Sequence, residues 1–215
     1  MSITIATGTS LQVGKTYGAA LVISSITNAA EAVATFVDAS TISPGDYLEI
    51  SSSWGRLDKK VVRVKTKSTN AVTLENINTT DTAKYAGSGS GSARRITAWD
   101  TLSQIKSMSP SGGDIKFADI SSMDDFVDKQ VPVGRSASAL GLVIYDDPTL
   151  AWYATLTAAS DSLTPSAMMM VFPNGSRTVA NAYWSLSKTP DIAKDEAITA
   201  KLDLSFAAEA VRYNT

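Results

Sequence analysis

Residues 166–186, SAMMMVFPNGSRTVANAYWSL, read as two strands around a tight turn. Val, Thr, Tyr and Trp fill arms at 166–172 and 177–186, and Pro173-Asn174-Gly175-Ser176 sits between them. An Asn-Gly pair is the strongest short hairpin signal, because both residues tolerate positive φ. Just beyond, Ile198, Ala200, Leu202, Leu204 and Phe206 alternate with Thr199, Lys201, Asp203 and Ser205. A period of two gives a strand with one packed and one wet face. A final pair of strands is therefore predicted at 196–206 and 208–213.

Working back toward the N-terminus, ASALGLVIY (137–145) is apolar on both faces and predicts a strand covered on both sides. The next segment carries the one helical pattern, predicted over 148–159. Asp147 suits the N-cap, Pro148 the first position, and Trp152, Tyr153, Leu156 and Ala159 share a face. Before it, arms at 102–108 and 114–120 read as a hairpin turned by Ser109-Pro110-Ser111-Gly112-Gly113. An acidic loop with Asp124, Asp125 and Asp128 follows.

In the first half, three short strands are predicted at 46–51, 59–67 and 71–75 after the turn Ser43-Pro44-Gly45-Asp46. Val62 and Val64 alternate there with Arg63, Lys65 and Lys67. With Arg56, Lys59 and Lys60 these make the one basic concentration, read as a solvated outer strand guarding an edge. AGSGSGSA (86–93) reads as a flexible segment unable to hold a packed strand, closing an insertion. The organisation expected is an N-terminal arm and first strands at 1–32, an inserted small β-region at 33–93, and a core at 94–215. The fold class is mainly β, a β-sandwich or partial barrel with one flanking α-helix.

Composition narrows the function. In 215 residues there is no Cys and no His, which removes disulfides, thiolate and imidazole metal sites, and every Ser-His-Asp arrangement. Catalytic, cofactor-binding and metal sites are all expected to be absent. The formal charge of -2 argues against a chain that grips nucleic acid or anionic lipid throughout. No signal peptide or membrane span is evident, so synthesis in a cytosol is expected.

Suggestive motifs give way to plainer readings. Gly8 to Thr16 has five residues between its glycines where a phosphate loop needs four. Ser-x-x-Lys at Ser103/Lys106 and Ser185/Lys188 falls in predicted strands, whereas penicillin-recognising enzymes place that pair on one helical turn. Asp124/Asp125 and Asp146/Asp147 read as solvated loops and a helix cap. A carboxylate-dependent hydrolase would require a deep cleft holding two facing acids.

In order, SPSGGDIKFADISS, KQVPVGRSASALGLVIYDD, DDPTLAWYATL, the FPNGS hairpin and ITAKLDLSF resemble the major tail tube proteins of long-tailed, siphovirus-like bacteriophages. The resemblance covers about 96–213 and the first few residues. PGDYLEISSSWGRLDKKVVRV, within 33–82, looks like the extra small β-region of some members. It implies a structural virion protein, made in the host bacterial cytoplasm, whose hairpins join those of neighbouring subunits into a β-barrel tube. Hexameric rings would stack into a hollow tail tube through which double-stranded DNA is ejected. The implied partners are other copies, a tape-measure protein inside the tube, and terminator and tip proteins at its ends. Members with a C-terminal immunoglobulin-like domain differ from this chain after Arg212-Tyr213, so surface decoration of that kind is not expected. The alternative is another virion joining component or an adhesin-like β-sandwich module.

Asp114, Lys116, Lys201 and Asp203, on the wet faces of the hairpin arms, are expected to line the lumen. Residues 1–98 carry ten basic and seven acidic groups, whereas 99–215 carry nine and fourteen, so the tube-like part is the acidic one. An acidic lining would repel duplex phosphates and let DNA slip. Contacts between rings are expected from Ser109, Pro110, Ser111, Gly112, Gly113, Asp124, Asp125 and Asp128.

Overall fold

The computed structural model describes residues 7–214. The N-terminal half supplies β1 (Ser10–Ile26), β2 (Val33–Phe36), β3 (Tyr47–Ser52), β4 (Val61–Ser68), β5 (Ala71–Leu74) and β6 (Gly89–Leu102). There follow β7 (Ile105–Ser111), β8 (Ile115–Asp119), β9 (Gln130–Arg135) and β10 (Ala139–Tyr145). Helix α1 (Ala151–Ser162) precedes β11 (Ser166–Val171), β12 (Arg177–Leu186), β13 (Thr199–Phe206) and β14 (Val211–Tyr213). The fold is mainly β with one flanking helix, as the alternation in the sequence predicts.

Twelve strands form one antiparallel sheet in the order β2-β5-β4-β3-β6-β1-β11-β12-β13-β10-β7, with β14 beside β12. The sheet as a whole does not close into a barrel. At one end, however, β2 pairs with both β5 and β1, so the ladder through six strands returns on itself. That circuit encloses a core of Ile23, Phe36, Leu48, Ile50, Val62 and Leu74. A second core lies where α1 covers the far end of the sheet, with Trp152 and Leu156 packed on Leu142, Trp184, Leu202 and Leu204.

The long strands β1 and β6 run through both regions because their mutual pairing is bent by bulges, at Gly14/Thr16 and between Ile23 and Ile26 among others. Strand β12 joins the regions by its two faces. Val179 belongs to the first core, while Ala180, Ala182, Trp184 and Leu186 belong to the second.

Several expectations are corrected. Residues 89–93 are not a loose linker: they begin β6 and pair with both β1 and β3. A Cβ on Gly89 would stand 2.8 Å from the Trp54 ring, and one on Gly91 1.9 Å from the Ser51 carbonyl oxygen. These glycines permit close packing. The hairpin 102–120 does not form either. Strand β7 pairs with β10, Ser111 opposite Ala139 and Ser109 opposite Gly141, whereas β8 pairs with β9. Ser109, Pro110 and Ser111 therefore lie in a strand. Pro110, having no N–H to donate, is tolerated because β7 is an edge.

The helix begins later than predicted, with Leu150 as its N-cap. Asp147 Oδ1 instead accepts hydrogen bonds from the Thr149 amide and hydroxyl in a turn of its own. The helix ends with Leu163 in the left-handed region (φ 52°). Strand β10 buries Leu140, Leu142 and Ile144 but leaves Gly141 and Val143 half-exposed, so it is covered on one side within this chain. The terminal β14 pairs with β12 rather than β13, and Ile198 lies ahead of β13, exposed.

The basic strand is no edge. β4 lies between β3 and β5, and its cations are satisfied within the chain. The Arg63 guanidinium grips Glu75 with both forks, at 2.5 and 2.6 Å, and stacks on Tyr213. Lys65 pairs with Glu31 and Lys67 donates to the Ile42 carbonyl. Lys60 reaches Glu209.

Candidate functional site

The pairing registers put Ser107 and Ser109 of β7, Gly141 and Val143 of β10, and Lys201 and Asp203 of β13 on one face. Paired residues in a ladder share a face, so Tyr183 and Ser185 of β12 extend it. The opposite face is packed under α1. Serines and short side chains dominate the open one. Lys201 is the cation at its centre, 3.7 Å from Asp191. Asp203 stands across from Gly141, whose missing side chain makes room for it: a Cβ there would lie 3.3 Å from the Asp203 carboxylate.

This four-stranded face ends in edges that lack a strand partner. β7 closes the strand order with nothing beyond it among the described residues. On β12 the β11 pairing stops at Ala182, so Tyr183 to Leu186 have no strand on that side among the described residues. Ser160 Oγ caps one donor there, the Leu186 amide, at 3.2 Å.

The second feature is the β8–β9 hairpin, a separate two-stranded sheet standing off the body. Its stem is fixed where the Ser136 amide donates to the Asp114 carbonyl and the Asp114 amide to Ser136 Oγ. Along it, Ile115, Phe117, Ile120, Met123, Phe126, Val127, Val131 and Val133 are all exposed. Met123 and Phe126, at the tip, are as open as free residues. An isolated hairpin of this kind is marginal in water. An apolar surface of this extent marks an interaction site.

The tip loop holds Asp124, Asp125 and Asp128. The Asp125 carboxylate pairs with Lys129 and accepts from the Ser122 amide, which together hold it below the usual carboxylate range. Hydrogen bonding with Ser122 lowers Asp124 in the same way. Asp128 has no such partner among the described residues.

The predicted lumen residues therefore separate. Lys201 and Asp203 lie on the open sheet face, and Asp114 and Lys116 at the foot of the hairpin. Likewise Ser109 to Ser111 lie on edge strand β7, Gly112 and Gly113 turn the chain out of the sheet, and the three acids cap the hairpin. Sequence reasoning missed Met123 and Phe126. Two large apolar residues inside a polar loop were the available signal.

The Gly8 to Thr16 segment opens no helix of a phosphate loop: from Ser10 on it is β1. Ser103 accepts a hydrogen bond from Trp152 Nε1 at 3.0 Å and so anchors the helix. Among the described residues, no group of three metal-ligating acids forms, and no helix is long and apolar enough to cross a membrane.

Strand edges, an uncovered sheet face and an exposed apolar hairpin define the class: a β-rich subunit with surfaces suited to contact with further protein. The comparison with known families specifies it, because the family model described as phage tail tube protein, TTP, matches residues 52–215. The chain belongs to the phage tail tube proteins, structural rather than enzymatic components of the virion tail. No curated protein matches it.

Proposed function

We propose that the protein polymerises as stacked hexameric rings into the hollow tail tube through which phage double-stranded DNA is ejected. The observation that carries this is the four-stranded face of β12, β13, β10 and β7, covered by α1 behind and open in front, with β7 a free edge and Tyr183 to Leu186 of β12 lacking a strand partner on the side away from β13. Placing the β7 edge of one copy beside the β12 edge of the next continues the sheet, and a ring leaves no edge exposed. With six copies this gives roughly 24 strands. At about 4.8 Å spacing and about 40° tilt, such a barrel is roughly 50 Å across between backbones. A duplex passes through that with room for side chains.

In this arrangement Lys201 and Asp203 face the lumen, and Asp191 offsets the lysine. The Asp114 and Lys116 region, the β7 end at Ser109 to Gly113 and the acidic hairpin tip contact the neighbouring ring. The cations of β4 stay on the outer wall, paired with Glu75 and Glu31. A tape-measure protein occupies the lumen during assembly, and terminator and tip proteins cap the two ends.

Negative-stain electron microscopy of the purified protein at rising concentration tests this reading. Annular end views with sixfold symmetry and striated tubes are expected. Compact monomers at every concentration would overturn it.

A further inference from the structure

We infer that the hairpin tip of one copy docks in a particular cleft of the next, at the junction of the small β-region and the hairpin's own stem. The cleft, of about 560 Å³, is lined by Arg56, Tyr85, Ile115, Pro132, Arg135 and Phe206 among others. Its walls are half apolar, and Tyr85 and Phe206 are among them. Its acids are engaged: Glu209 with Lys60, and Asp58 with Ser51 and the Ser52 amide. Arg56 and Arg135 have no hydrogen-bond or ion-pair partner among the described residues. The cleft thus presents a wall of mixed polar and apolar character and two guanidinium groups without a partner among the described residues.

The tip has the complementary character. Phe126 and Met123 project from it fully exposed, and Asp124 and Asp128 flank them without a cation, while Asp125 is taken by Lys129. An aromatic anchor entering a partly apolar pocket, flanked by opposite charges, is a common anatomy of an interface centre.

The occupant is a second copy of this chain. A hairpin arm of about six residues spans roughly 20 Å, so a tip is held well away from the cleft at its own stem. Tip and cleft are different surfaces, which makes the contact heterologous: each copy offers a tip in one direction and a cleft in the other, and the series stays open. This deepens the tube reading and rests on it. It gives the small β-region, through Arg56 and Tyr85, a part in stacking.

Charge reversal tests the pairing. Arg56→Glu with Arg135→Glu, or Asp124→Lys with Asp128→Lys, should each reduce pelletable tubes about tenfold or more, since like charges are then brought together. All four positions are exposed, so unchanged circular dichroism and melting are expected. Combining the two pairs of reversals should restore tubes. Normal tubes from either single-sided variant, or no rescue in the combination, would overturn the cleft assignment while wild-type tubes still stand. If the wild-type protein forms no tubes, the tube reading itself falls, and this inference with it. A second measurement uses the absence of native cysteine. Val127→Cys, beside the anchor, with Ala208→Cys and a short bis-maleimide should give a ladder of multimers, and Val127→Cys alone should stay monomeric on denaturing gels. Dimers from the single variant would show tip-to-tip contact and contradict the inference.

Discussion

The Ala137 carbonyl oxygen occupies the space where a side chain on Gly112 would begin, 2.0 Å from the ideal Cβ. Gly112 also has φ +72°, in the left-handed region that favours glycine. At this point the chain leaves β7 and enters the hairpin, with the returning strand packed against the exit. The hairpin's direction is set there. Gly112→Ala should swing the stem while leaving both hydrophobic cores intact. The expected outcome is a soluble, folded protein with few or no tubes, read by sedimentation and thermal melting together. Normal tubes would show that the stem angle is irrelevant to assembly.

The hairpin can also be removed. Because the Ser136 amide reaches the Asp114 carbonyl at 2.9 Å, residues 115–135 can be replaced by an Asn-Gly turn without straining the ends. This excision should leave stability within about 1 kcal/mol, since nothing buried in either core is lost. Tube formation should cease. Deleting Ser109 to Gly113 is a poorer test, because it would cut into β7 and uncover β10.

Packing of the helix gives a stability prediction. Trp152 is 3% exposed, packed on the second core and bonded to Ser103. Trp152→Ala should cost about 3–5 kcal/mol, as truncation of buried aromatics does. Denaturant unfolding measures it; a loss below 1 kcal/mol would mean that α1 does not depend on this face.

The junction of helix and sheet should respond to acid. Burial alone would raise the Asp100 carboxyl, but hydrogen bonds from Thr155 at 2.6 Å and Lys15 at 3.1 Å outweigh it and hold it below the usual value. A depressed carboxylate stabilises the fold above its unfolded pKa of about 3.9, and that contribution disappears as pH falls through the lower folded value. Melting temperature should therefore fall between about pH 4 and pH 2. Asp100→Asn should lower it at neutral pH and flatten that acid limb. An unchanged limb would place the sensitivity elsewhere.

What could be read from the sequence was what is local. The Asn174-Gly175 turn and the alternation of Ala200, Leu202 and Leu204 specify their elements within a few residues, and both stand as expected. Pairing between distant strands could not be read the same way. Nothing near Ser111 announces that its partner is Ala139, so an adjacent hairpin looked sufficient. The glycines of 86–93 carry the same lesson. In isolation they signal flexibility; beside Trp54 and Ser51 they are what lets β6 fit. Asp147 was a sound N-cap by composition, yet Thr149 satisfies it first. Lys201 and Asp203 were legible from alternation as the wet face of β13, whereas the cleft at Arg56 and Arg135 exists only once residues 55–60 and the hairpin stem are brought together.

The central claim is tested most directly by a helical reconstruction of the assembled tube at side-chain resolution. The account predicts sixfold rings in which β12, β13, β10 and β7 form a continuous inner barrel, with Lys201 and Asp203 facing the lumen and Arg63, Lys65 and Lys67 outside it. A net positive lumen, or β4 turned toward the channel, would contradict it.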